Sequence, residues 1–293
     1  MWAATAATAQ ANIDIVFDYT YDSGNFFDST RISVLEAAAA VFETRLQDHL
    51  TAINSGAGGA FNAQFFNPSN VGSTVTLNNF SVADNVVKVF VGASNLNGPL
   101  GVGGGGGFSG SGTQAFLDNA ASRGQVGALA NFETDFGPWG GAISFSNAIA
   151  WHFDTSPGTV EPMGGAFDFY SVAVHELGHV LGIGTAASWQ SRVQGSNFVG
   201  SAVGAGGAGT RPLSGDLGHW AVNTQSTVGP ATQEAAMTPS ISINQRKYFT
   251  TLDYAGLQDI GWQVSAVPEP ATWLMWGAGG AVLLGLRRRT ARA

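Results

Sequence analysis

The 293-residue sequence contains no cysteine. That excludes a disulfide framework, a thiolate metal site and a cysteine nucleophile. It does not exclude export, since a secreted fold can stand on its core alone. Charge is scarce: Asp, Glu, Lys and Arg together make 11%, against roughly a quarter in an average soluble domain. Basic residues are scarcest, 12 against 20 acidic, for a net charge of −8. Four of the 12 (Arg287, Arg288, Arg289 and Arg292) fall in the last seven positions, so the rest of the chain is more acidic still. Such a body does not suit nucleic acid, whose phosphates demand a basic face. The 41 glycines show no period of three, which excludes a collagen-like chain. Eight Trp and 19 Phe call for a core, which excludes a charged disordered chain. The length fits one large domain or two ordinary ones.

Both ends read as address labels. Ala9-Gln10-Ala11 satisfies the small-residue cleavage rule of a secretory signal, but a basic region and a long apolar region are missing. Residues 1–11 therefore read as a truncated signal peptide whose start lies upstream, or as a polar Ala/Thr tail. At the other end, Val267-Pro-Glu-Pro270 precedes sixteen uncharged residues, Ala271–Leu286, and then Arg287-Arg288-Arg289. The uncharged run is a little short of the ~20 residues that span a bilayer, and the arginines would stay on the cytoplasmic side. This three-part tail, residues 267–293, resembles the PEP-CTERM sorting signal of bacteria. The resemblance implies export, transient anchoring in the inner membrane, removal by exosortase-type machinery, and a final place in the cell envelope or outside the cell.

Between the labels, Ile13, Ile15, Phe17 and Tyr19 alternate with polar residues, the period of a half-buried strand. Asp28-Ser29-Thr30 opens a helix whose apolar set is Ile32, Leu35, Ala39, Phe42, Leu46 and Leu50. Further strands are expected at 74–77, 86–91, 141–145 and 148–153, and helices at 172–181 and 251–259. The segments 97–112 and 195–209 are rich in glycine and read as flexible surface loops. The first lacks the Lys-Ser/Thr of a phosphate cradle.

Residues 174–184 carry the chemistry: Val174-His175-Glu176-Leu177-Gly178-His179-Val180-Leu181-Gly182-Ile183-Gly184. Four residues apart on a helix, His175 and His179 share one face and can bind one Zn2+. Glu176 lies beside the first ligand, where it can take a proton from a zinc-activated water and pass it to a leaving amine. This is the mechanical content of the His-Glu-x-x-His motif. The apolar neighbours Val172, Val174, Leu177, Val180 and Leu181 set the histidines in a half-buried helix. Of the remaining histidines, His49 and His152 read as structural. His219, after Gly215-Asp216-Leu217-Gly218, is the natural remaining nitrogen ligand. Met237, eighteen residues later, could give an apolar floor beneath a three-histidine site without coordinating.

At these residues, roughly 148–264, the sequence resembles the metzincin clan, especially leishmanolysin-like and related bacterial metallopeptidases. In those, an insertion separates the two helical histidines from a third, and a Met-turn follows. The resemblance implies a zinc endopeptidase of protein or peptide substrates, with His175, His179 and His219 on the metal, Glu176 as general base and Met237 as the Met-turn. Thr185 stands where the short metzincin pattern has its third His. Pro239 stands where some members have a Tyr beside the site, so no such Tyr is carried over. The clan also suggests that a strand before the active helix, 142–145 or 148–153, pairs with the substrate backbone.

Two other readings stay open: a zinc hydrolase of a non-peptide substrate with Asp216 or Glu234 as third ligand, and a non-catalytic zinc-containing matrix or adhesion protein. Calcium is the other conceivable cation, because Asp14, Asp18, Asp22 and Asp28 recur near the start and Asp154 and Glu161 flank a loop. None has the EF-hand spacing, and solvated loop carboxylates are the simpler reading. The expected fold is α+β and metzincin-like. A twisted mixed sheet and the active-site helix would form the lobe at 12–184. A smaller C-terminal lobe at 185–266 would bring the third ligand, the Met-turn and a last helix.

Overall fold

The alternation at the start of the body does form a strand, and the strand order around it sets the architecture. The computed structural model describes residues 13–56, 58–204 and 209–265. The leader expected at 1–11 and the tail expected at 267–293 lie outside the described residues. In chain order the elements are β1 (Asp14–Asp18), α1 (Ser29–Glu43), β2 (Gly59–Asn67), β3 (Asn70–Leu77), β4 (Val86–Ser94), β5 (Gly101–Gly105), β6 (Gly107–Gly112), α2 (Gln114–Ser122), β7 (Gly140–Ser146), β8 (Trp151–His152) and β9 (Phe167–Asp168). There follow α3 (Phe169–Val180), α4 (Ala187–Gln190), β10 (Val193–Gln194), β11 (Asn197–Val199), β12 (Thr210–Pro212), β13 (Gln225–Val228), β14 (Ala231–Glu234) and α5 (Thr251–Asp259). The class is α+β.

The main sheet has the order β1-β4-β7-β5. Its first three strands are parallel, and β5 runs antiparallel along the outer side of β7. Every residue of β7 is buried, as a strand with neighbours on both sides and a helix on its face should be. A second sheet, β3-β2-β6, stands beside it with its own apolar cluster around Phe61, Phe65, Phe90 and Trp139. The larger core is one continuous cluster running from Ile13 to Trp262. It joins Leu35 and Phe42 of α1, Val174 and Leu177 of α3, and Trp220, Met237 and Leu257.

Three expectations need correction. The glycine-rich stretch at 97–112 is not a flexible loop: it supplies β5 and β6, paired to β7 and β2. Several of its glycines are packing residues. A Cβ on Gly103 would lie 2.5 Å from the Glu176 carbonyl oxygen, and one on Gly106 would lie 2.1 Å from the Trp139 ring. The first helix is shorter than its apolar set. It ends at Glu43, and Leu46 and Leu50 are buried from an extended segment that pairs with the chain's other end, with Leu46 opposite Val264 and the Gln47 N–H bonded to Gln263 O. Tertiary pairing overrides the helical spacing there. Of the two strands expected to receive substrate, the first is closed on both sides and the second is short and paired on one side only. Residues 142–145 lie inside β7, between β4 and β5, and of 148–153 only Trp151–His152 is a strand, already paired to Phe167–Asp168.

Candidate metal centre

Helix α3 starts from a fixed point. Asp168 caps it by accepting from the Ser171 N–H, and Arg246 holds the same carboxylate by two hydrogen bonds while also pairing with Asp154. All three side chains are buried. One and a half turns on, His175 and His179 face the cleft. Gly182, at φ 108°, stops the helix; the Ile183 N–H reaches back to Gly178 O, closing the last turn. That turn presents Ile183 O to His179 Nδ1 at 2.8 Å. Two residues later, Gly184 and Gly218 meet so closely that a Cβ on Gly184 would lie 2.3 Å from Gly218 O. This approach sets His219 beside the helix.

The three Nε2 atoms converge. His175 and His179 are 3.1 Å apart, His179 and His219 3.0 Å, and His175 and His219 3.2 Å. Each Nδ1 is committed elsewhere at 2.8 Å: His175 to Ala236 O, His179 to Ile183 O, His219 to the Asp216 carboxylate. All three of those partners are acceptors, so each Nδ1 carries the proton and each Nε2 presents a bare lone pair. Three lone pairs at this separation repel one another unless a cation sits among them. Nitrogens about 2.0–2.1 Å from a tetrahedral zinc stand about 3.3 Å apart, close to the spacing found. Burial and the neighbouring rings push the His175 pKa well below its usual value and that of His179 down to about 4, which keeps those two rings neutral. Among the described residues this is the one group of three or more such side chains able to hold a metal. The donor set fits zinc, with three imidazoles and an open fourth position.

Asp216 therefore stands behind His219 rather than beside the three converging nitrogens. Its other oxygen accepts from Ser214 and from the Gly218 N–H, and these bonds and the nearby His219 outweigh the opposing effect of desolvation, bringing its pKa down to about 2. Glu234 is held by Lys247 and by the Asn223 N–H, outside the cluster. His49 is exposed and touches Asn85, and His152 Nε2 is buried without a partner. The acidic residues near the start do not converge: Asp18 pairs with Lys88, Asp22 accepts from the Phe27 N–H, and Asp28 caps α1.

Met237 is fully buried with its sulfur against Gly178, the residue before His179; a Cβ there would lie 2.6 Å from Sδ. Asp253 organises this floor. Its carboxylate accepts from the Ala236 and Met237 N–H groups, from Trp220 Nε1 next to His219, and from the Thr250 N–H at the start of α5. The Thr250-x-x-Asp253 capping box is legible in the sequence, but its reach to Met237 is not.

Glu176 is 5% exposed. Burial pushes its pKa up to about 8, against a hydrogen bond from the Gly103 N–H that opposes the shift. Strand β5 passes so close that a Cβ on Gly101 would lie 2.6 Å from Glu176 Oε1. A cleft of about 520 Å3 opens in front of the three histidines, between the 99–103 segment on one side and the 238–241 segment on the other. No family, curated protein or solved structure matches the chain.

Proposed function

We propose that the protein is an exported zinc-dependent endopeptidase of metzincin-like build, with His175, His179 and His219 as ligands and Met237 as the Met-turn. The observation that carries the reading is the triangle of three bare imidazole nitrogens beside a buried carboxylate, at the bottom of an open cleft. A zinc ion there would make a water acidic and polarise the carbonyl of a scissile bond. The chain's own groups do the rest. A cation in the site would favour the ionised form of Glu176; one residue from His175 and closed in by β5, that carboxylate takes the proton of the attacking water and delivers it to the leaving amine. Asp216, Ala236 O and Ile183 O hold the three rings in one tautomer and one orientation.

The cleft's shape favours an extended peptide. β5 ends the main sheet, and among the described residues no strand pairs with its outer edge. Leu100, Gly101, Val102 and Gly103 line the cleft beside the histidines. A substrate laid along this edge would extend the sheet by backbone hydrogen bonds. The edge strand thus takes the place expected for residues 142–145 or 148–153.

Replacing Glu176 with Ala tests the assignment. Zinc content should stay at one per chain while casein cleavage falls by several orders of magnitude. Parent-like cleavage by Glu176→Ala would remove the assigned base. A zinc-loaded parent that cleaves no peptide would favour the non-catalytic or non-peptide readings.

A further inference from the structure

Seven large apolar side chains are exposed on the described surface, and three of them fall within seven residues of one loop: Val126 at 81%, Leu129 at 48% and Phe132 at 82%. Single exposed apolar residues are ordinary, but a cluster on one tip is not. The tip 125–132 (Gln-Val-Gly-Ala-Leu-Ala-Asn-Phe) carries no charge. It also bonds to itself: Ala128 N–H to Gln125 O, Ala130 N–H to Gly127 O and Thr134 N–H to Gly127 O. A loop that satisfies part of its own backbone donors enters an apolar interface at lower cost.

The loop is braced at its base. The Gly127 N–H bonds Asp135, and Ser191 Oγ bonds Glu133 O. Asp135 in turn packs on Gly261, where a Cβ would lie 2.4 Å from its Cα. Four residues beyond Gly261, the described chain reaches Ser265, whose N–H bonds Arg45 O. The segment from Arg45 to Thr51 links this point back to the loop, since Gln125 Nε2 bonds His49 O and the Thr51 N–H bonds Arg123 O. The loop and Ser265 therefore share one end of the molecule, the end where the parallel strands begin (Asp14 N–H to Asn85 O). In sequence, Ser265 is six positions ahead of the uncharged run Ala271–Leu286 and its three arginines. Six residues span at most about 20 Å.

We propose that Val126, Leu129 and Phe132 form a membrane-contacting tip, inserted into the lipid surface that the run 271–286 enters. The tip and the tail then grip one bilayer at two points and fix which end of the protein faces it. The single apolar loop is a weak anchor and the tail a strong one, so the loop orients the protein rather than attaching it. The proposal rests on the reading of the tail as membrane-entering and is independent of the metal site.

The absence of cysteine gives a clean test. Phe132→Cys and Val71→Cys each supply one labelling site. Val71 is 39% exposed on β3 and lies by Ser69 and Tyr21, at the far end of the parallel strands. Each full-length variant, labelled with an environment-sensitive nitrobenzoxadiazole dye, is reconstituted into phosphatidylethanolamine/phosphatidylglycerol vesicles with and without nitroxide-bearing lipid. The expected result is blue-shifted emission quenched several-fold by the nitroxide at 132, and no quenching at 71. Equal quenching at the two positions overturns the proposal, as does failure of the chain to float with the vesicles. A label at 132 that responds to protein concentration but not to nitroxide lipid marks a protein contact instead, and overturns it too.

Discussion

Replacing Gly101 with Ala asks how tightly the fold fixes its general base. A Cβ at 101 would sit 2.6 Å from Glu176 Oε1, 2.7 Å from Cγ and 2.8 Å from Cδ, where ordinary contact begins at 3.4 Å. The overlap involves three atoms of the carboxyl arm, so a rotation of the end group alone does not relieve it. The carboxyl must retreat by about 0.8 Å, and a displacement of that order costs about 10²-fold in rate, or about 2.7 kcal/mol in the barrier. None of the three atoms Gly101 meets belongs to a metal ligand, so zinc should be retained. The assay is cleavage of a quenched fluorescent peptide alongside zinc content and thermal stability. Gly101→Ala should keep one zinc per chain, melt close to the parent, and lose roughly two orders of magnitude in kcat/KM. Gly103→Ala is the contrast. Its Cβ would meet the Glu176 backbone oxygen at 2.5 Å, so helix and strand cannot both stay, and the variant should lose stability as well as activity. Parent-like turnover by Gly101→Ala would refute the argument that β5 locks Glu176 in place.

Three further outcomes follow from the same geometry. Asp216→Asn leaves the His219 ring with a weaker brace and should lower zinc affinity about 10- to 100-fold in a competition titration, with the fold intact. Arg246→Met strands the buried Asp154 and Asp168 carboxylates beneath the start of α3 and should cost about 3–5 kcal/mol in urea unfolding. Asp48 is buried, and desolvation pushes its pKa up to about 6. The folded state holds this proton more tightly than the unfolded chain does, so the burial is least costly below about pH 4 and its penalty grows as the pH rises through 6. Asp48→Asn should therefore stabilise the protein by about 1–2 kcal/mol at pH 8 and by nothing near pH 4, as read from paired thermal melts.

The helical pair of candidate ligands and the proposed base were legible because their signal is local. Spacing on one helix is fixed by the helix itself, so His175, Glu176 and His179 could be placed from the sequence. His219 could be named but not placed. Its position depends on Gly184 and Gly218 passing within contact of each other, a tertiary event with no periodicity to reveal it. The supports of the ligands were invisible for the same reason. Ala236 O and Ile183 O are backbone atoms, and Asp253 reaches Met237 across the core. The glycine stretch at 101–107 misled in the opposite direction. Composition reads a glycine run as a loop, but here absent side chains allow a strand to lie directly on a helix. Leu46 and Leu50 continued a helical spacing that the backbone abandons at Glu43, because the C-terminal segment offers strand-like partners instead.

On the proposed reading, three imidazoles meet at one zinc ion. X-ray absorption at the zinc edge, on the parent protein and on His219→Ala loaded with equimolar zinc, tests it most directly. The parent should show three imidazole nitrogens at about 2.0–2.1 Å with one oxygen ligand, and the variant two imidazoles with a zinc affinity lower by orders of magnitude. Identical coordination in both proteins would contradict it.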